Sequence, residues 1–348
     1  MNNWQEIVSP KTPLSPAFPS CALTDLSHFG LIRVRGEDSR TFLQGQLTND
    51  VNAVSADRPQ LGSYCSPKGR MLGSFWMFQR DDDLYLQLPV DRLEALLKRL
   101  QMFVMRSKVS LDDASEELAR VGLAGDCAEG LLPFAPADEN TSRTRDGLTI
   151  IRLPGDRPRF ELVGPPQRLG DTWRELASRA EQTGAEFWSL MDIRAGIPNV
   201  VEDTAEAFVP QMANLQLVGG VSFKKGCYTG QEVVARMQYL GKLKRRMYRV
   251  YCEHEMQAGM ELYAASSDSG QGAGRVVDAA PAPQGGYEAY LREDPGGPLD
   301  EEARGRLIDA CEKSGARAAA IRASRDYLER YPEGLFAELA RSTERDTR

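Results

Sequence analysis

A cysteine just before a glycine-punctuated helix pattern is the residue of this chain best suited to chemistry. In the segment FKKGCYTGQEVVARMQYLGK, Cys227 follows two lysines, and either Val233 or Val234 recurs with Met237 and Leu240 at helical spacing. We therefore expect a helix to begin near Gly230, with the positive end of its dipole toward the thiol. Both the lysines and the helix start favour the thiolate. From these residues alone burial is the favoured alternative, because free cysteine is among the most buried residue types.

The same stretch opens a strongly basic segment. Residues 224–249 hold eight lysines and arginines against one acid, Glu232, in a chain whose formal net charge is −7. This local positive charge suits a polyanion such as RNA, or a ligand with several carboxylates. A solvated strand face is an equally good interpretation. The net negative charge argues against a protein that coats nucleic acid over its whole surface.

Aromatic residues and two acids are candidates for holding a flat ligand. A heterocycle such as a pterin needs an aromatic or apolar slot with a few polar groups that orient it. Glu232 and Asp192 are the candidate carboxylates, although an ordinary surface or helix-end role is the commoner one for each. A tryptophan is also more often core than ligand platform. The candidate aromatics are Phe29, Trp76, Phe187 and Trp188.

Composition excludes several classes of protein. A chain of 348 residues with 27% charged and 41% hydrophobic residues suggests two or three folded domains. The first 20 residues lack the pattern of a signal peptide, and no apolar run is long enough to span a bilayer. The cysteines form no CxxC or Cys/His cluster, so we expect no metal site and reduced thiols in a cytoplasm. The six cysteines are Cys21, Cys65, Cys127, Cys227, Cys252 and Cys311.

The secondary-structure pattern predicts an α+β protein rather than a dinucleotide-binding fold. A strand over residues 29–34 and three strands over residues 64–89 precede a clear helix that Asp91 is placed to cap. Strands and helices then alternate irregularly, and no early turn carries a glycine-rich phosphate loop. Short strands separated by glycine and serine turns follow residue 246, which predicts a small all-β unit. A linker and helices come last.

Residues around Cys227 closely resemble the signature of the YgfZ family. The family hallmark K-G-C-Y-x-G-Q-E occurs without departure, and VRGEDSRTFLQGQLTNDV, YCSPKGRM and IRAGIPNV match in the right order over roughly residues 25–290. In the related aminomethyltransferases the corresponding loop has no such cysteine, so the resemblance makes a functional thiol the preferred interpretation. The signature residues are Lys225, Gly226, Cys227, Tyr228, Thr229, Gly230, Gln231 and Glu232.

The resemblance implies a fold and a ligand. The family is related to the folate-dependent aminomethyltransferase (GcvT) of the glycine cleavage system, which implies three domains around a tetrahydrofolate channel, one ferredoxin-like and the last a small β-barrel. It places the folate-contacting aromatics at Phe29, where tryptophan is more usual, and at Trp188. Members are described as folate-binding proteins that support iron–sulfur enzymes, including enzymes that modify tRNA.

The resemblance also suggests how the chain divides. We expect an extended lead-in over residues 1–22, a folate-binding region over 23–240, a barrel-like domain over 241–291, and a linker with a helical tail over 292–348. The resemblance stops near residues 285–290, where the family continues with barrel strand, so closure of the barrel is left open. The tail resembles a helix-turn-helix array with too few units to stack alone.

Two functional hypotheses follow from the resemblance. The first is a folate-binding factor for iron–sulfur client enzymes of tRNA modification, with Cys227 as its thiol. A single cysteine does not complete an iron–sulfur cluster, which normally takes four ligands. The second is a folate-dependent aminomethyl or one-carbon transferase, for which Asp50 and Asp192 are the candidate acids. A separate hypothesis, drawn from charge rather than resemblance, makes residues 224–249 an RNA-contact surface.

Overall fold

The computed structural model describes residues 4–8, 18–240, 245–262, 274–283, 285–293, 317–334 and 336–345. The strands are β1 (Ala22–Asp25), β2 (Phe29–Arg35), β3 (Gln60–Cys65), β4 (Met71–Arg80), β5 (Asp83–Pro89), β6 (Ser110–Asp113), β7 (Ala119–Ala124), β8 (Thr141–Arg145), β9 (Leu148–Leu153), β10 (Arg159–Gly164), β11 (Glu181–Thr183), β12 (Arg246–Cys252), β13 (Glu261–Leu262), β14 (Gly274–Pro281) and β15 (Tyr287–Glu293). The helices are α1 (Trp4–Ile7), α2 (Ser39–Gln44), α3 (Val90–Met102), α4 (Ala128–Leu131), α5 (Pro166–Ala177), α6 (Ala185–Ala195), α7 (Gln231–Tyr239), α8 (Arg317–Arg330) and α9 (Ala337–Arg345). Short 3₁₀ turns occupy Val51–Ala53, Glu202–Thr204 and Pro210–Ala213.

The first sheet is antiparallel, with strand order β3-β4-β5-β2-β6, and α3 covers one of its faces. The helix approaches closely because the strands carry glycine beneath it. A Cβ atom on Gly73 would lie 2.6 Å from Leu96 Cδ2. Asp91 does not cap α3 as the sequence suggested, since the helix begins one residue earlier and the Asp91 carboxylate accepts the Glu202 N–H at 3.0 Å.

The second sheet has the order β11-β1-β7-β10-β9-β8 and is covered on both faces. Apolar residues of α5, among them Leu169, Trp173 and Leu176, pack on one face. The other face meets α6 and the first sheet in a continuous core. The predicted extended lead-in is wrong at its start, where Trp4 lies in a short helix and packs edge-on against Trp173, with ring centroids 6.0 Å apart.

The third sheet is a half-barrel of order β12-β15-β14-β13, with α6 packed beneath β14. Its strand β15 continues through Glu293, two residues into the predicted linker. The predicted helical tail is confirmed for α8 and α9, whose small core holds Tyr327, Ala337 and Ala340. The expected helix around Ala303–Cys311 lies outside the described residues.

The expectation that all cysteines are reduced is contradicted at one pair. Cys21 and Cys127 are joined as a disulfide, with Cα atoms 5.7 Å apart. The fold explains the pairing, since β1 and β7 are antiparallel neighbours in which Ala22 faces Ala124. Residues 106 positions apart in sequence therefore meet at the strand ends. Among the described residues the free cysteines are Cys65, Cys227 and Cys252.

Candidate functional site

Lys225 fixes the signature loop to residues 44–49, the segment at the end of α2. This side chain is only 8% exposed, and its ammonium donates to the carbonyls of Gln44, Leu47 and Asn49 at 2.7, 2.5 and 3.1 Å. An ammonium has three N–H donors, so each of them is used. Burial lowers the pKa of Lys225 to about 8. At neutral pH the cation is still the main form, and it anchors the loop.

The helix start is anchored at a glycine. Gly230 has φ +84°, which only glycine adopts readily, and a Cβ atom there would lie 2.4 Å from the Ser66 carbonyl oxygen. The predicted helix is confirmed as α7, directly after this residue. At Gly226, by contrast, an added Cβ atom would meet no atom of the described residues within 4 Å. Packing within the described chain therefore requires glycine at Gly230 but not at Gly226.

Cys227 is exposed, although both of its signature neighbours Lys225 and Tyr228 are buried. The interpretation of this cysteine as a buried turn residue is therefore wrong. Tyr228 lies under the Lys225 ammonium, 5.1 Å from ring centroid to nitrogen, and burial raises the pKa of its hydroxyl. The loop thus presents one reactive side chain to solvent on a fixed backbone.

The remaining signature residues flank this thiol. The Gln231 N–H donates to the Tyr228 carbonyl at 3.1 Å, which closes the turn into α7. Glu232 is exposed and accepts from Arg236 at 2.6 Å, one turn along the helix. It is a surface ion pair rather than an orienting carboxylate in a pocket.

The core between the first two sheets contains a group of buried polar residues that the sequence analysis missed. This central polar cluster consists of Gln87 in β5, Arg120 in β7, and Arg159 and Glu161 in β10, all at most 4% exposed. The two β10 residues point to the same face because side chains alternate along a strand. Their alternation with Phe160 and Leu162 was the signal available in the sequence, since charges inside an apolar strand are costly unless they serve a purpose.

Several atoms of the central polar cluster make no hydrogen bond to any described residue. Glu161 Oε2 accepts from Gln87 Nε2 at 2.9 Å, whereas Glu161 Oε1 has no such partner. Burial raises the pKa of Glu161 to about 7. Burial also lowers the pKa of Arg120. The other unpartnered atoms of the cluster are Gln87 Oε1, Arg120 Nε and Arg159 Nη2.

Further carboxylates extend the polar region toward the half-barrel. Asp192 in α6 accepts from Arg159 Nη1 at 2.7 Å and from Asn199 Nδ2 at 3.0 Å. Asp278 in β14 is buried nearby, and burial, followed by the Asp192 charge, raises the pKa of Asp278 to about 7. Asp192, a predicted orienting or catalytic acid, is therefore held in a buried ion pair.

Both predicted folate-contacting aromatics border the central polar cluster. Phe29 and Trp188 belong to the same core. The Phe29 carbonyl accepts from Arg120 Nη2 at 2.8 Å. Trp188 lies against Gly122, where an added Cβ atom would be 2.4 Å from the indole. The Arg159 guanidinium lies over the same indole ring, 5.4 Å from its centroid. The two residues are brought together with the polar groups, and Trp188 is almost fully buried.

Asp50, the other candidate acid, has a structural role. Its carboxylate accepts from Gln44 Nε2 at 2.8 Å and from the Asn52 N–H at 3.2 Å, where it caps the 3₁₀ turn at Val51–Ala53. Within the part of the chain that the structure describes, no group of three or more His, Cys, Asp or Glu residues is arranged to hold a metal. No helix there is long and apolar enough to cross a membrane.

Comparisons with known proteins give relatives and a fold. A family model described as the GCVT N-terminal domain matches residues 18–145. The tRNA-modifying protein YgfZ of Colwellia psychrerythraea is 35% identical over 249 residues, or 69% of this chain and 74% of the relative. The same-named protein of Sodalis glossinidius is 30% identical over 293 residues, or 82% and 89%.

A solved structure agrees with the architecture. Glycine cleavage system aminomethyltransferase T from Bartonella henselae superposes with a TM-score of 0.67 at 17% identity, covering 81% of this chain and 80% of that one. At this identity the likeness concerns the fold alone. It confirms the α+β, GcvT-like fold class expected from the sequence.

Proposed function

The chain belongs to the YgfZ family of tRNA-modifying proteins, and from that premise we propose that it binds a tetrahydrofolate at the central polar cluster. We propose further that it supports iron–sulfur enzymes of tRNA modification through Cys227, in the cytoplasm. One observation carries the ligand assignment. Glu161 is buried with one carboxylate oxygen that no described residue partners, and it pairs across the sheet with Gly122, against which Trp188 packs.

The chemistry of a pterin suits these groups. The pyrimidine edge of a pterin carries an N–H and an amino group side by side, and a carboxylate such as Glu161 accepts from two donors at once. Its ring carbonyl is an acceptor, and Arg120 Nε and Arg159 Nη2 are donors without partners among the described residues. Phe29 and Trp188 supply apolar walls. When bound, a tetrahydrofolate supplies a carrier for one-carbon units.

The test of this assignment is a calorimetric titration of the full chain with 5-formyltetrahydrofolate, a stable reduced folate. We expect Glu161→Gln to weaken binding by about 10- to 100-fold, since a hydrogen bond to a charged group contributes roughly 1.5–3 kcal/mol. Glu232→Gln, which alters an exposed carboxylate of α7, is the matched control and should bind like the wild type. The assignment is wrong if the wild type does not bind, or if Glu161→Gln binds equally well.

The role of Cys227 is supported by its exposure on an anchored loop. A thiol that faces solvent on a loop that also exposes Lys224 is open to metal or sulfur chemistry with another protein. Since one cysteine supplies a single ligand, the remaining cluster ligands come from the client or from small thiols. For the alternative, a one-carbon transferase, both candidate acids, Asp50 and Asp192, have structural roles. Formation of methylenetetrahydrofolate from tetrahydrofolate and an amine donor would restore that alternative.

A further inference from the structure

The exposed end of α7 combines aromatic, apolar and basic side chains beside the signature loop. Tyr239 and Leu240 are 68% and 86% exposed. Of the residues of α7, only Val234 is fully buried. Phe223, at the start of the signature loop, contacts Tyr239 edge-on with ring centroids 5.9 Å apart. This contact brings both ends of the segment together.

Exposed basic residues lie in the same segment as these rings. Lys224 follows Phe223 and is exposed, and Arg236 lies one turn before Leu240, where it is paired with Glu232. Arg246 and Arg249 of β12 are exposed. We call Phe223, Lys224, Arg236, Tyr239, Leu240 and Arg246 the α7 surface.

The start of β12 lies in the same region as α7, because residues 211–214 hydrogen-bond to both elements. Gln211 Nε2 donates to the Val234 carbonyl of α7 at 2.7 Å, and Asn214 Nδ2 donates to the Met247 carbonyl of β12 at 2.8 Å. Residues 241–244 lie outside the described residues, but a chain of this length spans at most about 20 Å. The backbone positions on either side of this segment are therefore at most about 20 Å apart, so a nucleic-acid strand of a few nucleotides can reach cations on both sides.

The charge of this region is opposite to that of the rest of the chain. Residues 224–249 carry a net charge of +7, whereas the whole chain carries −7, so the remaining residues carry −14. Lys225 does not add to the exposed positive charge, because its ammonium is buried and donates to three carbonyls. A cationic surface on an acidic protein favours a polyanionic partner over an ordinary protein surface.

We propose that the α7 surface binds a single-stranded segment of RNA, with a base stacked on Tyr239 and phosphates on Lys224 and Arg246. Single-stranded nucleic acids bind where cations track the backbone and an exposed aromatic ring accepts a base. A ligand with only carboxylates would use the cations but not the exposed ring. The site borders Cys227, which follows Lys224 by three residues. This binding goes beyond the proposed function, since neither folate nor the thiol is needed for it.

The test is fluorescence anisotropy of the full chain with a labelled, unmodified tRNA transcript and a labelled oligouridine, from 25 to 300 mM KCl. We expect Tyr239→Ala to weaken binding of the oligouridine by about 5- to 150-fold, and Tyr239→Phe to retain it, because the ring does the stacking. Lys224→Ala with Arg246→Ala should reduce the slope of log K against log salt by about 1.4. Arg179→Ala, an exposed cation of the second sheet's region, is the control and should change neither value.

Three results would overturn the proposal. The first is no binding at 25 mM KCl, and the second is equal binding by wild type and Tyr239→Ala. The third is a salt slope in the double variant that matches that of Arg179→Ala. If Tyr239→Ala binds RNA normally but fails to support a client enzyme, the surface binds a protein instead and the RNA proposal is wrong. A folate titration of the same variants tests the proposed function separately, because none of these three results bears on folate binding.

Discussion

Replacing Lys225 by methionine tests whether the signature loop is held by its buried ammonium. The change keeps most of the side-chain volume but removes all three N–H donors. The carbonyls of Gln44, Leu47 and Asn49 are then left without this partner in a site where the lysine is only 8% exposed. An unsatisfied buried polar group costs about 1–3 kcal/mol. Relief from desolvating the cation offsets part of that sum.

We therefore expect the free energy of unfolding to fall by about 3 kcal/mol in Lys225→Met, toward the low end of three such costs. Lys224→Met is the matched control, since Lys224 is the adjacent residue and is exposed, and it should stay within about 0.5 kcal/mol of wild type. Urea denaturation followed by tryptophan fluorescence measures the difference.

A local measurement accompanies the global one. Hydrogen exchange should accelerate in the amides of residues 44–50 and 223–231 in Lys225→Met, because the loop and its anchoring segment separate. Equal stability of the two lysine variants, together with unchanged hydrogen exchange in both segments, would refute the claim that Lys225 anchors the signature loop.

Two further predictions concern the loop's backbone and the ligand site. Gly230→Ala should destabilise the chain by at least about 2 kcal/mol more than Gly219→Ala in thermal or urea unfolding. Both glycines have positive φ, but only at Gly230 would an added Cβ atom meet backbone, 2.4 Å from the Ser66 carbonyl oxygen. Equal losses of stability in the two variants would contradict this. Affinity for 5-formyltetrahydrofolate should rise from pH 6 to pH 8, by up to about 10-fold per unit below the Glu161 pKa of about 7. The reason is that the pterin donors require the ionised carboxylate, so a protonated Glu161 must first lose its proton. Calorimetry at each pH should show a flat profile for Glu161→Gln, and a flat wild-type profile would contradict the assignment.

Local pattern was sufficient to predict α7 and the strands of the first sheet. The helical spacing after Gly230 indicates where α7 begins, and the structure agrees. The register of Arg159 and Glu161 against β7 depends instead on strand pairings that a single sequence does not display. The same is true of Cys21 and Cys127, which become neighbours only when β1 pairs with β7.

The site could be predicted in part. The exposure of Cys227 was not determined by its neighbours in sequence, since it results from Lys225 turning inward to carbonyls 176 to 181 residues away. The aromatics Phe29 and Trp188 were named from resemblance, and the structure adds that both border one buried polar cluster. Helical spacing predicted α7 but not its exposure, since α7 lies at the surface with only one fully buried residue.

The most direct test of the account is replacement of Cys227 by serine in cells that depend on this protein, with Cys252→Ser as the control at a half-buried thiol. The measurement is the level of a tRNA modification made by an iron–sulfur enzyme, determined by mass spectrometry of digested tRNA. We predict that Cys227→Ser loses the modification while folate binding and thermal stability stay at wild-type values, and that Cys252→Ser retains it. Wild-type levels of the modification in Cys227→Ser cells would contradict the claim that the exposed thiol carries the function.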